Sequence, residues 1–249
     1  MAASDRRQRA FARREHRLLG AAERVVADEG CQALSMDRLG SMIDYSRATV
    51  YLHFSNKSDV MTALAAGAMS AQLAILERVL AEPGRSRERM LAVYLVFEHG
   101  FRHRPHLARV TQMLYDRRMI EEASEERRSQ LDHARARTFA LAEGLVREAW
   151  ASGDLEPETP PDPTGVLLPI WSLMVGGGTV LSDPEGVWRS GPVGPVEGLR
   201  AGWHALMDGI GWRPTWEEHD YRATTKRLGS LILETIAEDS VELSMTDGE

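Results

Sequence analysis

Apolar residues recur along this chain at three- and four-residue intervals, and no segment alternates apolar and polar positions over the length of a strand. The pattern predicts an all-α fold. Leu18, Ala22, Val25 and Val26 mark a first helix over residues 11–28, closed by Gly30. Met36, Leu39 and Ile43 mark a short second helix, and Val50 and Phe54 give a third an inward face. Longer helices are expected over 57–80, 86–103, 105–118, 124–152, 164–181, 196–210 and 215–238. Pro83-Gly84 and two punctuated loops, 156–163 and 182–195, separate some of them, while Pro105 suits a helix start and Gly153 a helix end. The acidic end, 239–249, is expected to fray.

The two short helices have the layout of a helix-turn-helix. Ser35 and Ser46 suit N-cap positions, and Asp37 suits the positive end of a helix dipole. Asp44-Tyr45-Ser46 breaks the periodicity, and Asp tolerates the left-handed backbone of a sharp turn. Arg47, Ala48, Thr49, Tyr51 and His53 are left toward the open side of the third helix, a set of donors beside a small Ala that suits a DNA major groove. The same pattern also fits a helical hairpin within a core.

Charge changes the picture. The 249 residues carry a net charge of −7, which looks wrong for a DNA binder. Residues 1–60, however, hold ten Arg and Lys against eight Asp and Glu, so the deficit lies in the remainder. Six Arg stand in the first twenty residues, and residues 1–10 are expected to be a disordered basic arm placed to meet phosphates. Hydrophobic content of 43% and charged content of 27% are ordinary for a globular protein. No uninterrupted apolar run approaches a membrane span, and a cytoplasmic location is expected. Cys31, the single cysteine, excludes an intrachain disulfide and reads as a small apolar residue. Motifs for a nucleophile elbow, a phosphate loop or a zinc protease are absent, so no catalytic residue, cofactor or metal is expected.

Residues 11–65 resemble the N-terminal domain of the TetR family of bacterial one-component regulators. The resemblance rests on Ala21-Ala22, Glu29-Gly30, Ser35-Met36, the run from Ser46 to Phe54, and Asn56-Lys57. It implies a three-helix DNA-binding domain over 11–58 and a helical ligand-binding and dimerisation domain over 59–240, followed by an acidic tail, 241–249. Carried over by position, Arg47, Ala48, Thr49 and Leu52 fall where the family reads bases or sugar edges, and Ser35, Ser46, Tyr51, His53 and Lys57 where it holds phosphates. Two positions depart from the family pattern: Asp44 stands where Gly is usual in the turn, and Leu52 replaces a commonly aromatic or polar residue.

The resemblance further implies a homodimer on palindromic operator DNA, built through the last two long helices of each subunit and released by a small apolar or amphipathic effector. An alternative is a regulator of the same fold governed by a protein partner. Tyr94, Phe97, Phe101, Met113, Phe139, Trp171 and Met174 are the candidates for an effector pocket, although aromatic and Met residues at helical spacing also suit plain core. Gly176-Gly177-Gly178 within an apolar helix predicts a kink or a close helix approach at the dimer interface. Glu98, His99, His103 and His106 invite a metal reading, but Pro105 and the flanking Arg102 and Arg104 favour a solvated or helix-end role.

Overall fold

The computed structural model describes residues 2–114, 117–156, 162–183, 186, 188 and 192–246. Among these residues the chain forms eleven α-helices and no strand. They are α1 (Ala2–Glu29), α2 (Met36–Met42), α3 (Arg47–His53), α4 (Lys57–Val79), α5 (Ser86–His103), α6 (Pro105–Met113), α7 (Arg117–Glu122), α8 (Glu125–Ser152), α9 (Pro163–Leu181), α10 (Pro195–Gly209) and α11 (Tyr221–Thr246). Parts of the two punctuated loops, 157–161 and 184–185, 187 and 189–191, fall outside the described residues, as does the end of the acidic tail.

Three elements differ from expectation. Residues 2–10 are helical and continue into α1, because Ala, Arg and Gln favour helix and no Gly or Pro interrupts them. The helix expected over 105–118 is divided into α6 and α7. The last helix begins at Tyr221 rather than at residue 215, since the Asp220 carboxylate accepts from the backbone N–H groups of Arg222 and Ala223, each at 3.1 Å, and so caps it there. Its backbone stays helical through Thr246, into the segment expected to fray.

The helices make two compact units. The first comprises Met1–Met69 and Arg104–Ala134. Leu18, Ala22 and Val25 of α1 pack there with Leu39, Val50, Phe54 and Met61, and Val110, Leu114 and Leu131 close the same core. Helices α6 and α7 and the first turns of α8 thus belong with the N-terminal helices rather than with the rest of residues 59–240. Sequence periodicity shows that these helices have an apolar face, not which neighbour that face meets.

The second unit comprises Ser70–His103 and Arg135–Glu249. Its centre is α5, buried on all sides from Met90 to Phe97 and surrounded by Leu76, Val146, Ile170, Trp203, Trp212 and Leu228 among others. At the head of α5 the buried Arg87 donates to the Asp208 carboxylate at 2.6 Å and to the carbonyls of Trp212 and Pro214 at 2.7 Å, with its guanidinium 4.7 Å from the Tyr221 ring centre. A buried guanidinium is tolerable only with such partners, and these fasten α5 to α10 and to the start of α11. Farther along, the buried Glu98 receives two hydrogen bonds from Arg200 at 2.6 and 2.8 Å.

Among the described residues two helices, α4 and α9, have the length and mean hydropathy of a membrane span, although polar residues interrupt both. In α4 most of that stretch is buried in the protein; in α9 only a third of it is. The outer side of α9 presents Gly165, Leu168, Ser172, Gly176 and Thr179, without a charge.

Candidate nucleic-acid interface

The geometry of the helix-turn-helix follows from a few local interactions. The Ser35 hydroxyl accepts from Arg38 N–H at 3.2 Å and caps α2; the Ser46 hydroxyl accepts from Thr49 N–H at 3.1 Å and caps α3. Between them Asp44 adopts φ 54°, the left-handed conformation anticipated for it. Gly40 is the residue that sequence inspection passed over. Its carbonyl accepts from the N–H groups of Ile43 and Tyr45, and a Cβ there would lie 2.8 Å from the Tyr45 carbonyl oxygen. The signal was a glycine near the end of a predicted helix, and its reason is the close return of the chain.

Helix α3 buries Val50, with Phe54 as its C-cap, and exposes Arg47, Ala48, Tyr51 and Leu52, the last with two-thirds of its surface accessible. Thr49 is half-buried. The Arg47 guanidinium lies 5.5 Å from the Tyr51 ring centre and 3.2 Å from the exposed Asp37 carboxylate. A guanidinium held so weakly in water is free to exchange Asp37 for a stronger anion. Ser35 and Ser46 are exposed beside this face, and Lys57, half-buried at the start of α4, reaches the Gln32 carbonyl at 3.5 Å.

His53 requires a correction. Expected on the open face, it is buried, its ring 3.9 Å from that of Phe11 and its Nδ1 3.7 Å from a Glu15 oxygen. Burial holds its pKa below the ordinary value against the opposing pull of Glu15. The reason is angular: His53 lies three residues after Val50 and turns toward the same core, where the long α1 supplies Phe11 as a lid.

The end of α3 is fastened from another direction, which the sequence did not announce. Arg127 of α8 donates to the His53 carbonyl at 3.1 Å and to Glu15 at 2.8 Å, and stacks over Phe54. At the next turn Asn56 Oδ1 accepts from Asp59 N–H while the Asp59 carboxylate accepts from Ser55 N–H, a reciprocal cap on α4. Asp59 also accepts from Ser124 N–H at 2.6 Å. These hydrogen bonds hold its pKa down although burial pushes it up.

In the second unit, Phe97, Phe139, Trp171 and Met174 do come together, lining a narrow apolar cavity of about 20 Å³ with Leu76, Met90, Thr138 and Ile170. Tyr94 and Phe101 line a neighbouring cavity of about 10 Å³, whose wall shares Phe97 and Met174. Met113 belongs to neither: it packs against the core of the first unit and borders an open groove beside Glu29 and Cys31. Its position at the end of α6 goes with that helix. The glycine run produces no break in α9. It permits close approach inside the subunit, since a Cβ on Gly178 would lie 2.8 Å from the Phe101 ring and one on Gly177 3.2 Å from Leu199.

The candidate metal cluster does not assemble. Glu98 is taken by Arg200, His106 meets Glu23 at 2.9 Å, and His99 and His103 stack on each other with ring centres 4.2 Å apart. Among the described residues no group of three or more metal-ligating side chains is found.

Residues 18–64 match the family model described as bacterial regulatory proteins, tetR family. No curated protein matches the chain. Among solved structures, the chain is similar to a protein of unknown function from Rhodococcus sp. RHA1, with 23% identity, a TM-score of 0.64, and coverage of 79% of this chain and 95% of that one. It is similar also to the transcriptional regulator FadR from Bacillus subtilis in complex with stearoyl-CoA (19% identity, TM-score 0.60, 78% and 98% covered). A third likeness is to the ketosteroid transcriptional regulator KstR2 of Mycobacterium tuberculosis (15% identity, TM-score 0.57, 80% and 95% covered). At these identities the structural likenesses speak for the fold, while the family model speaks for the capped helix-turn-helix itself. The family match thus covers the helix-turn-helix domain, residues 18–64, and over most of the chain the structural likenesses show a shared fold.

Proposed function

We propose that the protein is a repressor that binds palindromic operator DNA as a homodimer in the cytoplasm and lets go when a small molecule enters the cavity beside α5. The observation that carries this reading is the exposed face of α3. Arg47, Ala48, Thr49 and Leu52 stand where base edges would be read, and Ser35, Ser46, Tyr51 and Lys57 stand around them as phosphate partners. His53 is left out of this set because its side chain is buried.

Two further features support the reading. The outer side of α9 is uncharged, α10 exposes Gly198, Ala201, Gly202 and Ala205 beside Glu197, and faces of small and apolar residues favour close helix packing across a two-fold axis. We therefore place the dimer contact on α9 and α10 rather than on the last two helices, because α11 packs Tyr221, Leu228 and Ile232 into its own subunit's core. The apolar cavity is about the size of one water and must open to admit an effector, and the likeness to a regulator solved with stearoyl-CoA agrees with an apolar one. Such a molecule releases DNA only if it prefers a conformer whose heads no longer match the operator spacing.

Footprinting on the DNA upstream of the protein's own gene tests the proposal. A protected palindrome with half-sites about one helical turn apart is expected. Binding without sequence preference would overturn it.

A further inference from the structure

A groove of about 650 Å³ runs between α10 and the first turns of α11, within the second unit. Glu197, Arg200, His204 and Asp208, three or four residues apart, line it from one side of α10, and Tyr221, Arg222 and Thr225 line it from α11. Trp216, in the segment joining the two helices, stands at the Asp208 end, where its backbone N–H donates to the Asp208 carboxylate at 3.0 Å. The small side chains of Ala201 and Ala205 leave the space open. This is the volume of a small-molecule site, whereas the cavities beside α5 are the size of a water.

Its polar groups are unequally committed. Arg200 is taken by Glu98, Asp208 by Arg87, and the Tyr221 hydroxyl by the Pro214 carbonyl. The Arg222 guanidinium is not: it lies 5.9 Å from the Trp216 ring centre and pairs with no carboxylate among the described residues. His204 is also uncommitted. It is 7% exposed, with its ring 4.4 Å from that of Trp216 and 5.0 Å from that of Tyr221, and its imidazole makes no hydrogen bond. Nδ1 is buried without a partner, while Nε2 is not sealed off. Burial and the nearby Arg87 hold the pKa at about 4, so the ring is neutral at pH 7 and has one N–H to offer. A buried polar ring without a partner is costly, and it marks where a ligand atom fits.

We propose that this groove binds a planar aromatic carboxylate, its ring against Trp216, its carboxylate on the Arg222 guanidinium and hydrogen-bonded by the His204 imidazole. The exposed indole supplies a flat face for a ring, and a guanidinium without a carboxylate supplies the charge. Glu197 sets the orientation. It stands about 16 Å along α10 from Asp208 and turns a negative group toward the Arg222 end. The site is separate from the cavity beside α5 and does not depend on that cavity's holding an effector.

Calorimetric titration of the full chain with 2-naphthoate, its neutral amide 2-naphthamide and the saturated decalin-2-carboxylate tests this. Naphthoate is expected to bind about tenfold more tightly than either of the others. Arg222→Gln should bring naphthoate down to the amide, and Trp216→Leu should bring it down to the decalin acid. Both side chains are exposed, so neither variant strips the core. His204→Phe, which keeps a ring without an N–H, should weaken naphthoate about fivefold. Thr225→Trp, which fills the groove, should abolish binding. The proposal is overturned by naphthoate that fails to bind, by a preference that survives Arg222→Gln or Trp216→Leu, or by unchanged affinity in His204→Phe. Undiminished binding to Thr225→Trp would place the probe elsewhere and overturn it as well.

Discussion

Arg127 donates a hydrogen bond to the main-chain carbonyl of His53 at 3.1 Å, so a residue of α8 satisfies an orphan carbonyl at the last turn of α3. The same guanidinium pairs with Glu15 of α1 and covers the Phe54 ring. Three helices thus meet on one side chain, which is 5% exposed. Arg127→Met keeps the apolar stem but strands Glu15 and the His53 carbonyl. We expect a loss of about 2–3 kcal/mol in denaturant unfolding and weaker operator binding. Unchanged stability would show that the pair merely offsets its own desolvation.

The same pair sets an acid limit. Burial raises the Glu15 pKa, but Arg127 and His53 outweigh it and the net shift is downward. Its stabilisation is therefore present above the ordinary carboxylate pKa and is lost as pH falls through the lowered one.

His204 works at higher pH. Burial, then the neighbouring Arg87, depress its pKa from the ordinary 6.5 to about 4, with Asp208 opposing. The unfolded chain takes up this proton first, so stability is full above about pH 6.5 and falls as pH drops toward 4. The loss amounts to about 3 kcal/mol when complete. Denaturation midpoints measured from pH 7 to pH 5 should decline in the parent protein and decline less in His204→Gln. Parallel curves would remove His204 as the cause.

Tyr51→Ala and Lys57→Ala should each weaken operator binding and flatten the dependence of log affinity on log salt, by about one unit for Lys57. Arg47→Ala should instead relax base preference, costing about 1–3 kcal/mol on the cognate site and less on others. Equal losses on every sequence would assign Arg47 to phosphate.

Neighbouring glycines in α9 should respond in opposite ways. Gly178→Ala drives a methyl into the Phe101 ring and should cost about 1–3 kcal/mol. Gly176→Ala meets nothing within 4 Å, so helix propensity favours it by up to about 1 kcal/mol within the subunit. Thermal unfolding of the two variants at equal concentration would separate the effects.

Leu168, 62% exposed on the outer side of α9, tests the dimer contact. Leu168→Glu is expected to yield monomers in sedimentation and to abolish tight operator binding without unfolding the chain. A dimer that persists would move the contact elsewhere.

Much of this was legible along the chain because it depends on near neighbours. Helix α5 was bounded at Ser86 and His103 from periodicity and Pro105 alone, and Ser35 and Ser46 announced their caps because a cap involves residues three apart. The left-handed Asp44 followed from what its backbone tolerates. Phe97, Phe139, Trp171 and Met174 were selected by type, and the fold brings them together.

What escaped depends on which helix a face meets. The sequence alone determined an all-α chain with a basic N-terminal segment ahead of a capped helix-turn-helix, since hydrogen bonds and apolar period within a helix are local matters. Only the tertiary structure decided that His53 turns inward under Phe11, that Met113 leaves the cavity, that Arg127 reaches back to α3, and that α9 keeps its apolar side outward. Those outcomes rest on contacts between residues tens of positions apart, whose partners are selected by packing complementarity and by burial of polar groups with matched donors and acceptors.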